Sequence, residues 1–377
     1  MTHYGFLSTY PPTRCGLATF TDALSGALVL GSDETATIVR VLDEPDARAP
    51  IDIGAHARVR TDLIAGDRLA ITRAVMALNN CDVAIVQHEY GIYGGPDGDE
   101  ILEVLAALMT PTIVVLHTVL VDPTPHQREV LTRVCRLASR VVVMTHNALD
   151  ILAHGYAVDL SRVHVIPHGV TTLTADASEP HTRKRVLTWG LISPGKGIEW
   201  GIRAIAQLGD VSPGIEYVVA GQTHPKVLAH AGESYRTMLA TTAQEMGLES
   251  SVRLDGRYLD NGQLAALQAS ADVVLLPYDS RDQATSGVLA EAVAAGIPVV
   301  ATCFPHAVEL LADGAGLVVA HKDPESIAHA LRTILTTDAV AGQMREAALR
   351  SASETSWTAV AERYRDLTSR LLAIRAA

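Results

Sequence analysis

The sequence predicts an α/β protein built from two Rossmann-like, doubly wound domains. Three observations carry that expectation: the length, a repeating strand–helix rhythm, and a polar break near mid-chain. At 377 residues the chain exceeds one ordinary core and suits two domains of similar size. Hydrophobic residues make up 48% of it, enough to bury both cores. Short Val/Ile/Leu-rich runs recur between longer helical patterns. They are apolar throughout rather than alternating, as strands are when helices cover both faces of a parallel sheet.

In the first half these runs are Thr37–Leu42, Asp82–Gln87, Thr112–Leu116, Arg140–Met144 and Val163–Ile166. The second half has Val186–Trp189, Glu216–Ala220, Asp272–Pro277, Pro298–Ala301 and Gly316–Val319. Strand–helix repetition at this spacing implies right-handed βαβ units. The polar segment TTLTADASEPHTR, residues 171–183, reads as a linker. It would separate an N-terminal domain over 1–170 from a C-terminal domain over 184–356. Residues 357–377 carry a helical pattern through Val360, Tyr364, Leu367, Leu371 and Leu372, expected to return to the N-terminal domain. Two such domains are expected to face each other across a cleft at the carboxyl ends of their strands, where open α/β sheets bind ligands.

Composition excludes several classes. A net charge of −12 with no Lys/Arg run disfavours nucleic acid and strong membrane binding. Aromatics at 4% argue against a large aromatic sugar platform. Cys15, Cys81, Cys135 and Cys303 have neither CxxC nor metal-ligand spacing and read as free thiols of a reducing compartment. No signal peptide is read at the N-terminus, and no apolar run reaches the ~20 residues that span a bilayer, so a cytoplasmic location is expected. Only four of the 30 basic residues are lysine, a bias that suggests a GC-rich source such as an actinobacterium.

The most informative segment is ADVVLLPYDSRDQATSGVLAEAVAAGIPVVAT, residues 271–302. A buried strand ends at Pro277, a polar loop follows, and Thr285–Ser286–Gly287 opens a helix that Gly296–Ile297–Pro298 stops. Unpaired N–H groups at a helix start suit a diphosphate, and Gly287 permits close approach. Glu291 lies just over one turn in, within reach of a ribose diol. On pattern alone, an ordinary helix start with a solvated glutamate fits as well.

VLTWGLISPGKGIEWGIRAI, residues 186–205, reads as strand, loop and helix, with Ser193 as cap and Pro194 as first residue. Lys196 would then sit in the first turn, where a structural lysine is electrostatically unfavourable and a phosphate-binding one is not. Near the N-terminus, STYPPTRCGLATFTDAL places Gly16 in a strand-to-helix loop able to bring N–H groups to an anion, or simply to turn. Two further strand ends carry polar groups. DVAIVQHEYGIYGGPDGDE sets His88, Glu89, Tyr90 and Tyr93 among glycines, and a second strand ends at His117.

Taken together, these segments resemble the family-4 retaining glycosyltransferases of GT-B fold, over nearly the whole chain. Glu291 matches the ribose-binding glutamate, and its donor-sugar counterpart falls on Gln283, beside Ala284. Of the phosphate-binding pattern G-R-x-x-x-x-K-G, Lys196 matches while the arginine position is Leu191; Arg14 or Arg281 could compensate. PHAVELL brings Glu309 to an acidic position near the donor, and IPHGV carries His168 at a domain junction. The resemblance implies diphosphate contacts from Gly16, Lys196, Thr285, Ser286, Gly287 and Val288. It implies donor-sugar contacts from His117, Gln283 and Ala284, with Lys196 and His117 catalytic. On the acceptor side it implies Arg14, His88, Glu89, Tyr90 and Tyr93. The HEYGIYGG stretch resembles a bacterial branch associated with mannosides.

The implied activity is retaining transfer of a hexose from a nucleoside-diphosphate sugar to a saccharide hydroxyl, without metal or other cofactor. GDP-mannose and a soluble mannoside or oligosaccharide acceptor are expected, with UDP-glucose the next donor. A GT-B-like phosphorylase or epimerase, or a nucleotide-sugar-binding protein without turnover, are the competing readings. The oligomeric state stays open.

Overall fold

A computed structural model describes residues 1–30, 33–42, 57–171, 183–209, 211 and 214–376. The expected linker lies outside the described residues except for Thr171 and Arg183. The chain divides into two compact units, one of residues 1–169 with 357–377 and one of residues 170–356.

The first unit contains β1 (His3–Ser8), α1 (Gly16–Val29), β2 (Thr35–Leu42), β3 (Ala57–Ile64), α2 (Arg68–Asn79) and β4 (Val83–His88). It continues with α3 (Ile101–Ala107), β5 (Thr112–Leu116), α4 (Pro125–Leu137), β6 (Arg140–Val143), α5 (His146–Gly155) and β7 (Val163–Val165). The strands form one parallel sheet of order β3-β2-β1-β4-β5-β6-β7. Strand order reverses between β1 and β4, the switch point at which doubly wound sheets bind ligands. β4 and β5 are buried along their whole length, as their apolar runs require.

The second unit contains β8 (Lys184–Trp189), α6 (Ile198–Ala206), β9 (Ile215–Ala220), α7 (Pro225–Ala231), α8 (Ser234–Glu245), β10 (Val252–Asp255) and α9 (Asn261–Ala269). Then follow β11 (Val273–Leu276), α10 (Gly287–Ala294), β12 (Val299–Thr302), α11 (Pro305–Leu310), β13 (Gly316–Val319), α12 (Pro324–Thr336) and α13 (Asp338–Ala352). Its parallel sheet has order β10-β9-β8-β11-β12-β13, with the switch point between β8 and β11.

The chain then returns to the first unit through α14 (Trp357–Ala376), as expected. Val360, Tyr364, Leu367 and Leu371 bury against α1, β1 and β2. Arg365 fastens the contact: its guanidinium donates to the carbonyls of Ala27 (2.9 Å) and Leu28 (2.8 Å) near the end of α1 and pairs with Glu34 at 3.0 Å. Cations favour helix C-termini for this reason.

Each of the ten apolar runs falls on a strand. β3 and β10 were missed because neither carries an unbroken apolar run. β3, ARVRTDLI, carries charges between its apolar residues, and only one residue of β10 is buried. The Arg40 guanidinium, 1% exposed, is held by Asp62 of β3 at 2.9 Å, so that charge alternation stabilises the edge rather than breaking the strand.

Candidate functional site

In the second unit, the β11–α10 segment forms as expected. Ser286 caps α10, its hydroxyl accepting from the Leu289 N–H at 3.3 Å. The Ser286 N–H donates to Nδ1 of His306 (2.8 Å), which places the imidazole proton on Nε2. The N–H groups of Gly287 and Val288 are left without intrahelical acceptors at the positive end of the helix dipole. These two donors suit an anion. Thr285 and Ala284 are buried, 9% and 3% exposed, so backbone rather than side chain is what they can offer.

Gln283 has a local reason to be an amide. Its Nε2 donates to the Thr285 carbonyl, while its backbone carbonyl accepts from the His306 N–H at 3.3 Å. An ionised glutamate only accepts and could not make the first bond. His306 was not singled out from the sequence, although a histidine on the helix after the next strand was the available signal. Glu309 is half-buried on the same helix, α11.

Glu291 sits on α10, and its Oε2 accepts from the indole N–H of Trp189 at 3.2 Å. Burial pushes the carboxyl above its ordinary range, and the Trp189 bond opposes that shift. Trp189, 6% exposed, ends β8 and also escaped the sequence reading.

The expected helix start at Ser193–Pro194 is corrected by the structure. Gly195 and Gly197 take φ of +88° and +62°, left-handed conformations that cannot continue into a right-handed helix, and α6 begins only at Ile198. Lys196 therefore lies in a loop before the helix, not in its first turn. Its Nζ stands 4.2 Å from the centroid of the Tyr278 ring, which stacks on Phe304 at 5.2 Å. An aromatic face attracts an ammonium without neutralising it, whereas a carboxylate partner would cancel the charge. Among the described residues Lys196 forms no ion pair.

That loop is fixed on both sides. Asp279 N–H donates to the Gly195 carbonyl at 2.9 Å. Ile192 N–H donates to the Gln222 carbonyl, and His224 N–H to the Ile192 carbonyl, each at 2.8 Å. His224 is driven below its ordinary pKa by burial, then by the charges of Lys226 and Lys196. Leu191 is half-buried, and Arg281 is exposed in the β11–α10 loop.

In the first unit, Gly16 is the first residue of α1, where the Cys15 sulfur accepts from the Ala18 N–H at 3.4 Å. A Cβ on Gly16 would meet nothing within 4 Å, so packing inside the protein does not demand the glycine. Arg14 beside it is exposed.

Adjacent strands β4 and β5 bring His88, Glu89 and His117 together at their carboxyl ends. His117 N–H donates to the His88 carbonyl at 3.1 Å, and its Nε2 lies 2.7 Å from Oε1 of Gln87. Phe20 meets both His117 and His168 edge-on. Burial lowers the His117 pKa to about 3, with smaller contributions from His168 and His88, so the ring is neutral at physiological pH. His88 is fully buried and held down to about 4 by desolvation; neither ring nitrogen has a protein partner. Nor do Gln87 Nε2 and the Ser8 hydroxyl. Uncharged imidazole and amide groups suit hydroxyls better than anions. Gln87 was not nominated from the sequence.

Glu89 accepts from the Thr118 hydroxyl and, at 3.0 Å, from the Tyr90 N–H; burial raises its pKa. Tyr90 rests edge-on against His88, and its hydroxyl donates to the Gln127 carbonyl at 3.4 Å. Tyr93, also expected on the acceptor side, lies close behind this strand end. It is buried, and its hydroxyl proton is committed to the Gln87 carbonyl at 2.6 Å, so it braces the strand end. Among the described residues no group of His, Cys, Asp or Glu could hold a metal ion, and no helix is long and apolar enough to cross a membrane.

The two sheets and their switch points define a GT-B fold, and known proteins of that fold align along the whole chain. Sucrose-phosphate synthase from Thermosynechococcus elongatus superposes with a TM-score of 0.79 at 18% identity, covering 99% of this chain and 100% of that one. HepE of Anabaena, in complex with UDP-glucose, gives 0.74 at 17% identity over 98% and 100% of the two chains. Residues 183–337 match the family described as "Glycosyl transferases group 1", a span that contains Trp189, Lys196, Gln283, Glu291 and His306. In sequence, the D-inositol 3-phosphate glycosyltransferase of Corynebacterium glutamicum is 29% identical over 61% of this chain. The match spans 57% of that relative's length.

Proposed function

We propose that the protein is a retaining, metal-independent glycosyltransferase that moves a hexose from a nucleoside-diphosphate sugar to a hydroxyl of a soluble acceptor. The observation that supports it most is the un-neutralised Lys196 ammonium held on Tyr278, in the same unit as the free N–H groups opening α10. Both meet negative charge, and charge grows on the diphosphate as the anomeric bond breaks. In this reading Gly287 and Val288 N–H hold the diphosphate, Thr285 and Ser286 shape that turn, Lys196 stabilises the leaving group, and Glu291 accepts from the ribose. Gln283 and Ala284 border the donor sugar. On the first unit, His117 offers a neutral ring to a sugar hydroxyl, Gly16 a backbone approach to the diphosphate, and Arg14, His88, Glu89 and Tyr90 the acceptor side. The departing phosphate takes the acceptor proton, so no carboxylate nucleophile is invoked.

GDP-mannose with a mannoside acceptor is the donor and acceptor pair favoured by the HEYGIYGG stretch and the arginine-rich composition. A UDP-sugar is the second reading, favoured by structural neighbours solved in complex with UDP or UDP-glucose. The relatives named for D-inositol 3-phosphate add a phosphorylated polyol to the acceptors worth offering. The test offers GDP-mannose, GDP-glucose, UDP-glucose and UDP-N-acetylglucosamine with methyl mannoside, mannobiose and D-inositol 3-phosphate, and detects products by mass. Turnover of GDP-mannose supports the first reading; turnover of a UDP-sugar with GDP-mannose inert selects the second. Binding without any transfer leaves a nucleotide-sugar-binding protein.

A further inference from the structure

The Glu291 carboxylate has an unusual environment for a charged group. It is half-buried, and no Lys or Arg pairs with it among the described residues. Among the described residues its one hydrogen-bond partner is the indole N–H of Trp189. A carboxylate offers about four acceptor positions, and one is filled. The donor is an indole, which cannot also accept, so it holds the carboxylate as an acceptor and fixes one oxygen in place.

Trp189 is itself immobilised. It ends a strand paired along its whole length with β9, packs in the core with Leu289 and Val293 of α10, and precedes Gly190, which crosses against Gly221. A Cβ on Gly221 would lie 1.9 Å from the Gly190 carbonyl, so the two loops meet backbone to backbone and the strand end cannot drift. The result is a half-buried acceptor oriented by a donor-only ring, with its remaining lone pairs unclaimed among the described residues.

We propose that Trp189 is a positioning residue for ribose recognition: it pins one oxygen of Glu291 so that the carboxylate accepts both hydroxyls of the ribose of a nucleoside diphosphate. The inference rests on the reading that Glu291 meets the ribose, and it adds the residue that makes this contact selective for ribose over deoxyribose. A site built to pair a hydroxyl penalises the analogue that lacks it, because the acceptor is then left buried and unpaired.

The experiment titrates the full-length protein with UDP, GDP and their 2′-deoxy counterparts by calorimetry, in wild type, Glu291→Gln and Trp189→Phe. Trp189→Phe keeps an aromatic ring and removes the N–H. It is expected to lose about tenfold of the ribo-over-deoxy preference while binding the deoxynucleotide as wild type does. Equal weakening toward both sugars would mean that Trp189 only packs, and would overturn the inference. If wild type and Glu291→Gln alike show no ribose preference, the ribose reading of Glu291 falls, and the inference with it. Should Trp189→Phe fold poorly, 19F NMR of the 5-fluorotryptophan-labelled protein replaces it. Glu291→Gln should move one of the three tryptophan resonances. The ribonucleotide should move that same resonance in wild type, and its standing still would overturn the proposal.

Discussion

Replacing Gly197 by alanine tests how the loop carrying Lys196 is held. Two costs can be worked out from its geometry. The residue sits at φ +62°, where an L side chain costs roughly 1–2 kcal/mol. A Cβ there would also lie 1.9 Å from the Pro277 carbonyl oxygen, so the loop and the end of β11 must part by about 1 Å to reach a tolerable 3.0 Å. Overpacking of this kind costs about 1–3 kcal/mol. Together, a loss of about 2–5 kcal/mol is expected, lowering the melting temperature on the order of 10 °C. The same displacement moves Lys196 off its seat, and a ~1 Å misplacement can cost about 100-fold in rate. Gly195→Ala is the control. It has a similar strain, with φ +88°, but its Cβ would meet nothing within 4 Å. The assay compares thermal melts and donor turnover of the two variants. Identical melting and identical turnover would refute the argument that contact with Pro277 seats the lysine.

Lys196→Ala should keep the wild-type melt and lose about 2.7–4 kcal/mol of transition-state stabilisation, read as kcat/KM; near-wild-type turnover would remove it from the diphosphate. Tyr278→Phe should be neutral or stabilising, since the hydroxyl it removes is buried without a partner, whereas Tyr278→Leu should lower kcat/KM by about 0.5–2 kcal/mol through loss of the ring face. Transfer should survive EDTA; complete loss restored by Mg²⁺ or Mn²⁺ would contradict the metal-independent reading. The first unit should weaken as pH falls from about 6.5 toward 4. His88, His117 and His168 are held neutral, with pKa lowered to about 4, 3 and 4, so the unfolded chain binds protons that the fold refuses. Each can cost up to about 1.4 kcal/mol per pH unit across that window. Urea melts that do not shift between pH 7 and 5 would rule this out.

Much of the fold was legible because a parallel strand covered by helices must be apolar along its whole length. β4, β5 and β11 announce themselves that way, and the α10 start follows from Ser286, Gly287 and the apolar spacing behind them. Helix α14 was readable for the same reason, through Val360, Tyr364, Leu367 and Leu371. Edge strands β3 and β10 were not, since only one face or a few residues of each are buried and their charged side chains mask the pattern.

What the sequence by itself determined, then, was local: which segments are strands and helices, and which polar residues stand at strand ends. Tertiary structure decided the partnerships. Trp189 and Glu291 are 102 positions apart and meet because β8 lies at the switch point beside the helix that follows β11. Lys196 finds Tyr278, and Ser286 finds His306, through the same crossing of neighbouring strands. The position of Lys196 before α6 was likewise invisible in the sequence, because the Pro277 carbonyl, 80 positions from Gly197, leaves no room for a Cβ at that left-handed residue. Hydrogen bonds and ring contacts act over a few ångströms with no regard for chain separation, so a pattern read along the chain can name the residues but not pair them.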